Sequence, residues 1–442
     1  MATTRSAQEQ SRKAVFASWI GTTIEYYDFA IYGLAASLIF APLFFPSTDP
    51  TVGTLLSLSS FAVGYLTRPL GALVFGHFGD RIGRKAVLIV TLVLMGVATF
   101  AIGLLPTYSQ IGVAAPVLLI VARLVQGFSV GGEYGGAVLL AVEHSSERRR
   151  GLFGSIVNTG ATVGLVLANV AFILVFQLPD DQMLAWGWRI PFLFSSILVV
   201  VGLVARYSLE ESPDFAEAKD QGTVRGVPAL EVLRHHLGTV LLVAVGIIAA
   251  GSAFTMTTVF SLTYGRDALG LDNSAMLTAL LPATAVILVG LPLFGRLSDR
   301  VGVRPVFLAG AASLVVLPFV WFALMDTGRY VPMLLGFALL FVGYSANYAV
   351  VPAYFSQVFP PAVRFTGMSI GLTLGLIAGN AVAPAVSASL LDTTGGWLAI
   401  AGYMALTGLA SLTAGLFLRI PAAGTTPQPV TEAPAVAGQG AR

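Results

Sequence analysis

The chain is dominated by apolar runs long enough to cross a bilayer, separated mostly by short polar connections. A helix needs about 20 consecutive, mostly apolar residues to span the hydrocarbon core. Twelve stretches meet that requirement, at roughly 14–40, 52–75, 86–105, 112–143, 152–177, 188–207, 236–264, 273–294, 306–326, 331–353, 365–391 and 396–419. The runs are apolar all round and do not alternate, which argues against a transmembrane barrel. Composition agrees. Of the 442 residues 56% are hydrophobic and 10% charged, against about 25% charged in soluble domains. The reading is an all-α integral membrane protein with twelve transmembrane helices. The first run is too long for a cleaved signal peptide and is read as a retained span.

One long polar connection, with Glu210, Glu211, Asp214, Glu217, Lys219 and Arg234, separates two sets of six runs. The expected organisation is an N-terminal six-helix bundle over 1–207, a cytoplasmic central loop over 208–234, and a C-terminal six-helix bundle over 235–420. The Pro-, Ala- and Gly-rich end, 421–442, is expected to be a disordered cytoplasmic tail. Basic residues fix the orientation. With the N-terminus inside, the inner connections hold Arg81, Arg84, Lys85, Arg148, Arg149, Arg150, Arg206, Lys219, Arg225, Arg234, Arg296, Arg300, Arg304 and Arg364. The outer ones hold little beyond Arg266 and Arg329. Twelve spans then leave both termini in the cytoplasm.

Several chemistries find no support. Cysteine is absent, which removes disulfides and thiolate sites. The histidines are His77, His144, His235 and His236, all in or beside polar connections, and no convergent metal set is visible. A net charge of +2 gives no reason to expect nucleic acid. No nucleophile–base pair or appended soluble domain argues for an enzyme or a sensor. No cofactor is expected.

Two turns repeat. "GHFGDRIGRK" follows the second run and "GRLSDRVGVRP" follows the eighth, sharing G-x-x-x-D-R-x-G at the same place in each half. A weaker echo relates "EHSSERRRGLFG" after run 4 to "QVFPPAVRFTGMS" after run 10. Such repeats point to a transporter with pseudo-symmetric halves. The repeated turns carry a candidate gate made of Gly76, Asp80, Arg81, Gly83, Arg84, Glu143, Asp299 and Arg300. Asp80 is read as ending a glycine-bounded turn, and Glu143 as the natural partner of the nearby arginines.

Two carboxylates, Glu25 and Asp28, interrupt the first run in "IGTTIEYYDFAIYG". An ionisable group at mid-membrane costs about 2.5–3.5 kcal/mol on insertion scales and is tolerated when it faces protein or water. Three residues turn a helix through about 300°, so the two acids share a face. Arg68 in run 2 and Arg123 in run 4 are candidate counter-charges. The preferred arrangement is an intramembrane ion pair of Glu25 with Arg68, leaving Asp28 to exchange protons. In "RLVQGFSVGGE", Arg123, Gln126 and Glu133 form a polar face, while Gly127, Gly131 and Gly135 form a small-residue face for close packing. Gly367, Gly371, Gly375 and Gly379 suggest the same in run 11. Proton coupling is assigned to Asp28, Glu25, Glu133 and Arg123. Substrate binding is assigned to Arg123, Gln126, Tyr32, Asn158, Tyr344, Asn347, Tyr348 and Asn380.

The repeated turns resemble the signature of the major facilitator superfamily. Together with "IEYYDFAIYG", "TRPLGALVFGHFGDRIGRK", "RLVQGFSVGGEYGGA" and "WGWRIPF", they are similar to its metabolite:proton symporter family, which takes up organic acids and zwitterions. The resemblance implies two pseudo-symmetric six-helix bundles and proton-coupled uptake of a small metabolite by alternating access. It also implies that Arg123 is the span-4 arginine associated with proton coupling. Where that family usually has a glutamate after span 10, this chain has Gln357, which implies a weaker second gate. A drug antiporter is disfavoured because "GSIVNTGATVGLVLANV" lacks a proline. An osmosensing symporter is disfavoured because the tail lacks heptads. The expected partners are a small-molecule metabolite, protons and membrane lipids, with no nucleic acid. The chain is read as a monomer in a bacterial cytoplasmic (inner) membrane. The substrate stays open among monocarboxylates, dicarboxylates and zwitterions.

Overall fold

The computed structural model describes residues 2–46, 50–220, 228–271 and 273–420. The expected tail, 421–442, and Arg225 lie outside them, and the side chains of Asp214 and Lys219 are not described.

Ten helices among the described residues are long and apolar enough to cross a membrane. Span 1 (Ala2–Leu38) and a broken span 2 bring the number to twelve. Span 2 is Pro50–Leu66 followed by Arg68–Ile82. Span 3 is Arg84–Leu104, span 4 Ala114–Glu143, span 5 Arg150–Val175 and span 6 Arg189–Tyr207. Span 7 starts as Leu237–Thr255 and continues through one wide turn, in which the Ser261 amide reaches the Met256 carbonyl, into Ser261–Asp267. Span 8 is Asn273–Val301, span 9 Val303–Met325 and span 10 Tyr330–Tyr348 followed by Val351–Ser356. Span 11 is Arg364–Asn380 followed by Val382–Thr394, and span 12 is Trp397–Phe417.

Lipid explains the outer surface. In span 3, Val90, Val93, Val97, Phe100 and Leu104 are exposed, while Leu88, Leu92, Met95 and Ile102 are buried. That is helical periodicity with apolar residues on both faces. Val200, Val201 and Val204 extend the exposed band on span 6. In water such a band would be a liability; in a bilayer it faces acyl chains.

The two sets of six pack alike. Span 1 packs on span 5 as 7 does on 11, span 2 on 4 as 8 does on 10, and span 3 on 6 as 9 does on 12. The bundles meet where span 2 lies along span 11 and span 5 along span 8. Glycines permit these approaches. A Cβ on Gly131 or Gly127 would strike the span-2 backbone at Arg68 or Gly64, and one on Gly135 would meet Ser369 of span 11. In span 11, Gly375 and Gly379 lie against the span-7 backbone at Ala244 and Ile248. Close packing is therefore what both glycine series do.

Two expectations need correction. The second run was expected to end near 75, yet helix continues to Ile82. Asp80 lies inside its last turn, and the reversal falls at Gly83, whose φ of 114° favours glycine. The polar segment stays helical because Asp80 is buried against span 11. Arg206 was placed among the loop charges, but it is 1% exposed and lies inside the N-terminal bundle.

Candidate functional site

Polar side chains of spans 1, 2 and 4 converge on one small cavity within the N-terminal bundle, which Met95 of span 3 also lines. Glu25 and Asp28 enter it from span 1, Arg68 from span 2, and Arg123 and Gln126 from span 4. It holds about 10 Å³, space on the order of one water. Gly64 and Gly127 let the helices close around the guanidinium of Arg123.

A hydrogen-bonded chain runs through the site. Arg123 Nη1 donates to Gln126 Oε1 at 2.9 Å, and Gln126 Nε2 donates to Thr99 Oγ1 at 2.6 Å. Thr99 Oγ1 donates to Asp28 Oδ2 at 2.6 Å, and Ser195 Oγ of span 6 donates to Asp28 Oδ1 at 2.5 Å. Arg123 also donates to the Phe61 carbonyl at 3.0 Å and lies 3.9 Å above the Tyr32 ring. Tyr32 in turn shares a hydrogen bond with Ser60 at 2.7 Å. Asp28 is thus held by two hydroxyls, and among the described residues no cation lies within ion-pair distance of it.

Glu25 and Arg68 share the cavity, but no ion pair within 4 Å joins them. Arg68 instead lies 4.3 Å from the Tyr65 ring centre and 5.2 Å from that of Phe29. The aromatic faces draw the guanidinium away from the carboxylate. Glu25 Oε2, Arg68 Nε and Arg123 Nε have no hydrogen-bond partner among the described residues.

Glu133 lies elsewhere in the bundle. It forms a buried ion pair with Arg206 and accepts from Thr91 Oγ1 at 2.6 Å, while Arg206 also donates to the Leu88 carbonyl. Gly21 makes room for this pair. Both oxygens of Glu133 are engaged, so it is not poised like Asp28.

The remaining expected substrate residues divide into two groups. Asn158 of span 5 accepts from Tyr134 at 3.0 Å and donates to the Tyr348 carbonyl at 2.9 Å, linking the bundles at their centre. Tyr348 stacks on Tyr134 and Tyr344, Tyr344 contacts Phe254, and Tyr26 meets Phe254 edge-on. Asn347 and Asn380 do not join this cluster. Asn347 faces span 9, with its Nδ2 3.4 Å from the Phe307 carbonyl. Asn380 accepts from Thr255 at 3.1 Å, tying span 11 to span 7.

A lock occupies the end that carries the repeated turns. Asp80 accepts from the Phe365 and Thr366 amides at 3.0 and 2.8 Å and from Thr366 Oγ1 at 2.8 Å. These amides belong to the first turn of span 11, where unpaired N–H groups and the helix dipole favour a carboxylate. Asp299 does the same for span 5, accepting from Gly151 and Leu152 at 2.7 and 3.0 Å. Arg84 bridges Asp80 and Glu143, each at 3.4 Å, and Arg364 reaches Glu143 at 3.2 Å from the other bundle. Gly76 lets span 2 approach Thr366. Arg81 and Arg300 are exposed and outside this network. Gln357 donates to its own helix at the Ala353 carbonyl, 2.6 Å away, so among the described residues the ionic cluster exists on one side.

The central connection reinforces the lock. Glu211 accepts from the Arg84 amide at 2.9 Å, Ser212 donates to Glu143, and Phe215 lies 5.0 Å from Arg84. Sequence reasoning missed Thr99, Ser195, Arg206, Tyr26, Tyr134, Glu211 and Ser212.

Two six-helix bundles, the first enclosing a charged cavity and the two tied at one end by paired helix caps, define a multi-pass membrane carrier. The profile described as Major Facilitator Superfamily matches residues 18–328 and 283–440. The chain is 42% identical over 405 residues to the inner membrane metabolite transport protein YhjE of Escherichia coli (strain K12), covering 89% of this chain and 90% of that one. It is 35% identical to the shikimate transporter of the same organism, covering 93% and 95%. Against the glycine betaine/proline/ectoine/pipecolic acid transporter OusA of Dickeya dadantii (strain 3937) it is 34% identical, covering 94% and 85%. Among solved structures, the proton:xylose symporter XylE bound to 6-bromo-6-deoxy-D-glucose aligns with a TM-score of 0.70 at 18% identity, covering 93% and 95%. The chain belongs to the major facilitator superfamily, and it is a transporter of metabolites rather than an enzyme.

Proposed function

We propose that the chain is a proton-coupled symporter that takes up a small organic acid or zwitterion by alternating access. One observation carries this reading. The same cavity holds a fixed cation, Arg123, suited to a substrate carboxylate, and a buried acid, Asp28, with no cation in contact among the described residues, the two linked through neutral donors. The unpartnered Glu25 Oε2 beside Arg68 favours a zwitterion, whose ammonium group would meet Glu25 while its carboxylate meets an arginine. The names of the relatives span both classes, with shikimate on one side and glycine betaine or proline on the other.

In this reading the chain is a monomer in a bacterial inner membrane with both termini in the cytoplasm. The lock at the repeated turns is the closed cytoplasmic gate. Asn158, Tyr344 and Tyr348 form the C-terminal wall of the substrate path. The bundles, 1–207 and 235–420, rock about the central site. One proton moving inward through 100 mV releases about 2.3 kcal/mol, enough for roughly fifty-fold accumulation of a neutral cargo.

The test is uptake of radiolabelled shikimate and glycine betaine into proteoliposomes at two imposed proton gradients. Concentrative uptake of either that grows with the inward gradient supports the reading. Asp28→Asn abolishes accumulation and leaves some exchange. Full accumulation by that variant removes Asp28 as the coupling acid, and gradient-independent uptake by the wild type removes proton coupling altogether.

A further inference from the structure

Arg123 and Asp28 do not touch, so any coupling between them passes through the side chains that separate them. The residue between them is Thr99 of span 3. Its hydroxyl has two acceptors within reach, Asp28 Oδ2 at 2.6 Å and the Met95 carbonyl at 3.0 Å. Its oxygen accepts from Gln126 Nε2 at 2.6 Å. Thr99 is 0% exposed, Asp28 2% and Gln126 3%, so bulk water does not substitute for any of these bonds.

Every donor in the chain points the same way. Arg123 N–H points to Gln126, Gln126 N–H to Thr99, and Thr99 O–H to Asp28. Hydrogen bonds in series polarise one another. A hydroxyl has one proton and two lone pairs, which allows Thr99 two complete arrangements. With Asp28 ionised, Thr99 donates to the carboxylate and accepts from Gln126. With Asp28 protonated, the new Asp28 O–H donates to the second lone pair of Thr99, and the Thr99 proton turns to the Met95 carbonyl. Both arrangements satisfy the Thr99 hydroxyl and its bond to Asp28, and one proton, taken up at Asp28, separates them.

We propose that Thr99 is a positioning residue that links the state of Arg123 to the protonation of Asp28, its hydroxyl turning between Asp28 and the Met95 carbonyl. This rests on the reading of Asp28 as the coupling acid. A substrate carboxylate that draws Arg123 from Gln126 removes the first donor in the series, weakens the bond Thr99 gives to Asp28, and so favours proton uptake there. The charged groups facing Asp28 are Glu25 on its own span, Arg68 from span 2 and Arg123 from span 4. Tyr27, also on span 1, is engaged with the Pro191 carbonyl at 2.9 Å, and spans 3 and 6 present the neutral Thr99 and Ser195.

The test needs no substrate. Infrared difference spectra of the purified, lipid-reconstituted protein are recorded across a pH titration, and the carboxyl band lost in Asp28→Asn is assigned to Asp28. Thr99→Val removes a donor that favours the ionised form, so the midpoint of that band moves about one pH unit toward alkaline pH, a tenfold change in proton affinity. Thr99→Ser keeps the hydroxyl and the wild-type midpoint. Gln126→Leu moves the midpoint the same way by less, and adding it to Thr99→Val produces no further change, as a series connection requires. If Thr99→Val does not fold, Thr99→Ala is read in the same way. An unmoved midpoint in Thr99→Val, or additive shifts in the double variant, overturns the role of Thr99 while leaving Asp28 in place. Absence of any band lost in Asp28→Asn overturns the assignment of Asp28 itself.

Discussion

Asp80 and Asp299 are pseudo-symmetric residues that each cap a helix of the opposite bundle: Asp80 the start of span 11, Asp299 the start of span 5. The two caps are unequal. Asp80 is 2% exposed and accepts three hydrogen bonds within the Arg84–Glu143–Arg364 cluster. Asp299 accepts two and, among the described residues, forms no ion pair, while Gln357 bonds the Ala353 carbonyl of its own helix.

This inequality predicts unequal effects of neutralisation. A hydrogen bond to a charged group contributes about 1.5–3 kcal/mol, so Asp80→Asn shifts the closed–open balance of this end by at least tenfold. Asp299→Asn shifts it by less. The chain has no cysteine, so a single reporter, Ser369→Cys, reads the opening without background. Its alkylation rate rises at least tenfold with Asp80→Asn and by a smaller factor with Asp299→Asn. Equal rates in the two variants would contradict the asymmetry.

The buried pair Arg206–Glu133 predicts a pattern in stability. Removing one partner of such a pair typically costs about 3–5 kcal/mol, whereas replacing both by neutral groups can be nearly neutral. Arg206→Met therefore lowers the thermal midpoint of the reconstituted protein sharply, and adding Glu133→Gln restores most of it. If Glu133 instead served as a proton carrier, the double variant would regain stability and still fail to accumulate substrate. With Glu133 held by Arg206 and Thr91, restored stability brings restored accumulation.

Glycine packing supplies a matched pair of substitutions. A Cβ on Gly131 collides with the Arg68 carbonyl, whereas one on Gly402 meets nothing within 4 Å. Gly131→Ala forces spans 2 and 4 apart, an overpacking that costs about 1–3 kcal/mol and disturbs Arg68 at the cavity. Gly402→Ala stabilises by up to about 1 kcal/mol through helix propensity. Folded yield and thermal midpoint move in opposite directions for the two variants.

Much of this architecture is legible in the sequence because lipid imposes it. A bilayer requires length and apolarity of each span, so twelve spans stand out without knowledge of packing. Glu25, Asp28 and Arg123 stand out for the same reason, since an ionisable group amid apolar residues is costly. Thr99 and Ser195 do not, because a lone hydroxyl in a membrane helix usually bonds its own backbone. Arg206 was misplaced because it lies at the end of an apolar run, next to the polar residues of the central connection, and only packing reveals that it turns inward. Asn347 and Asn380 show the converse difficulty. A polar residue in a span faces a neighbouring helix as readily as a cavity, and residue type does not distinguish the two. The Glu25–Arg68 pair is expected because a buried acid needs a counter-charge, but Tyr65 and Phe29 compete for the guanidinium.

The interruption of span 2 at Thr67 has a mechanical consequence. Pro69 has no amide to give, and Thr67 secures the break by donating to the Leu124 carbonyl at 2.7 Å. Arg68 is therefore the first residue of a separate 15-residue helix, and Asp80 lies in its final turn. The arginine that lines the cavity and the aspartate that caps span 11 sit at opposite ends of one stiff lever about 20 Å long, so a nudge to either tip is delivered to the other without passing through any loop.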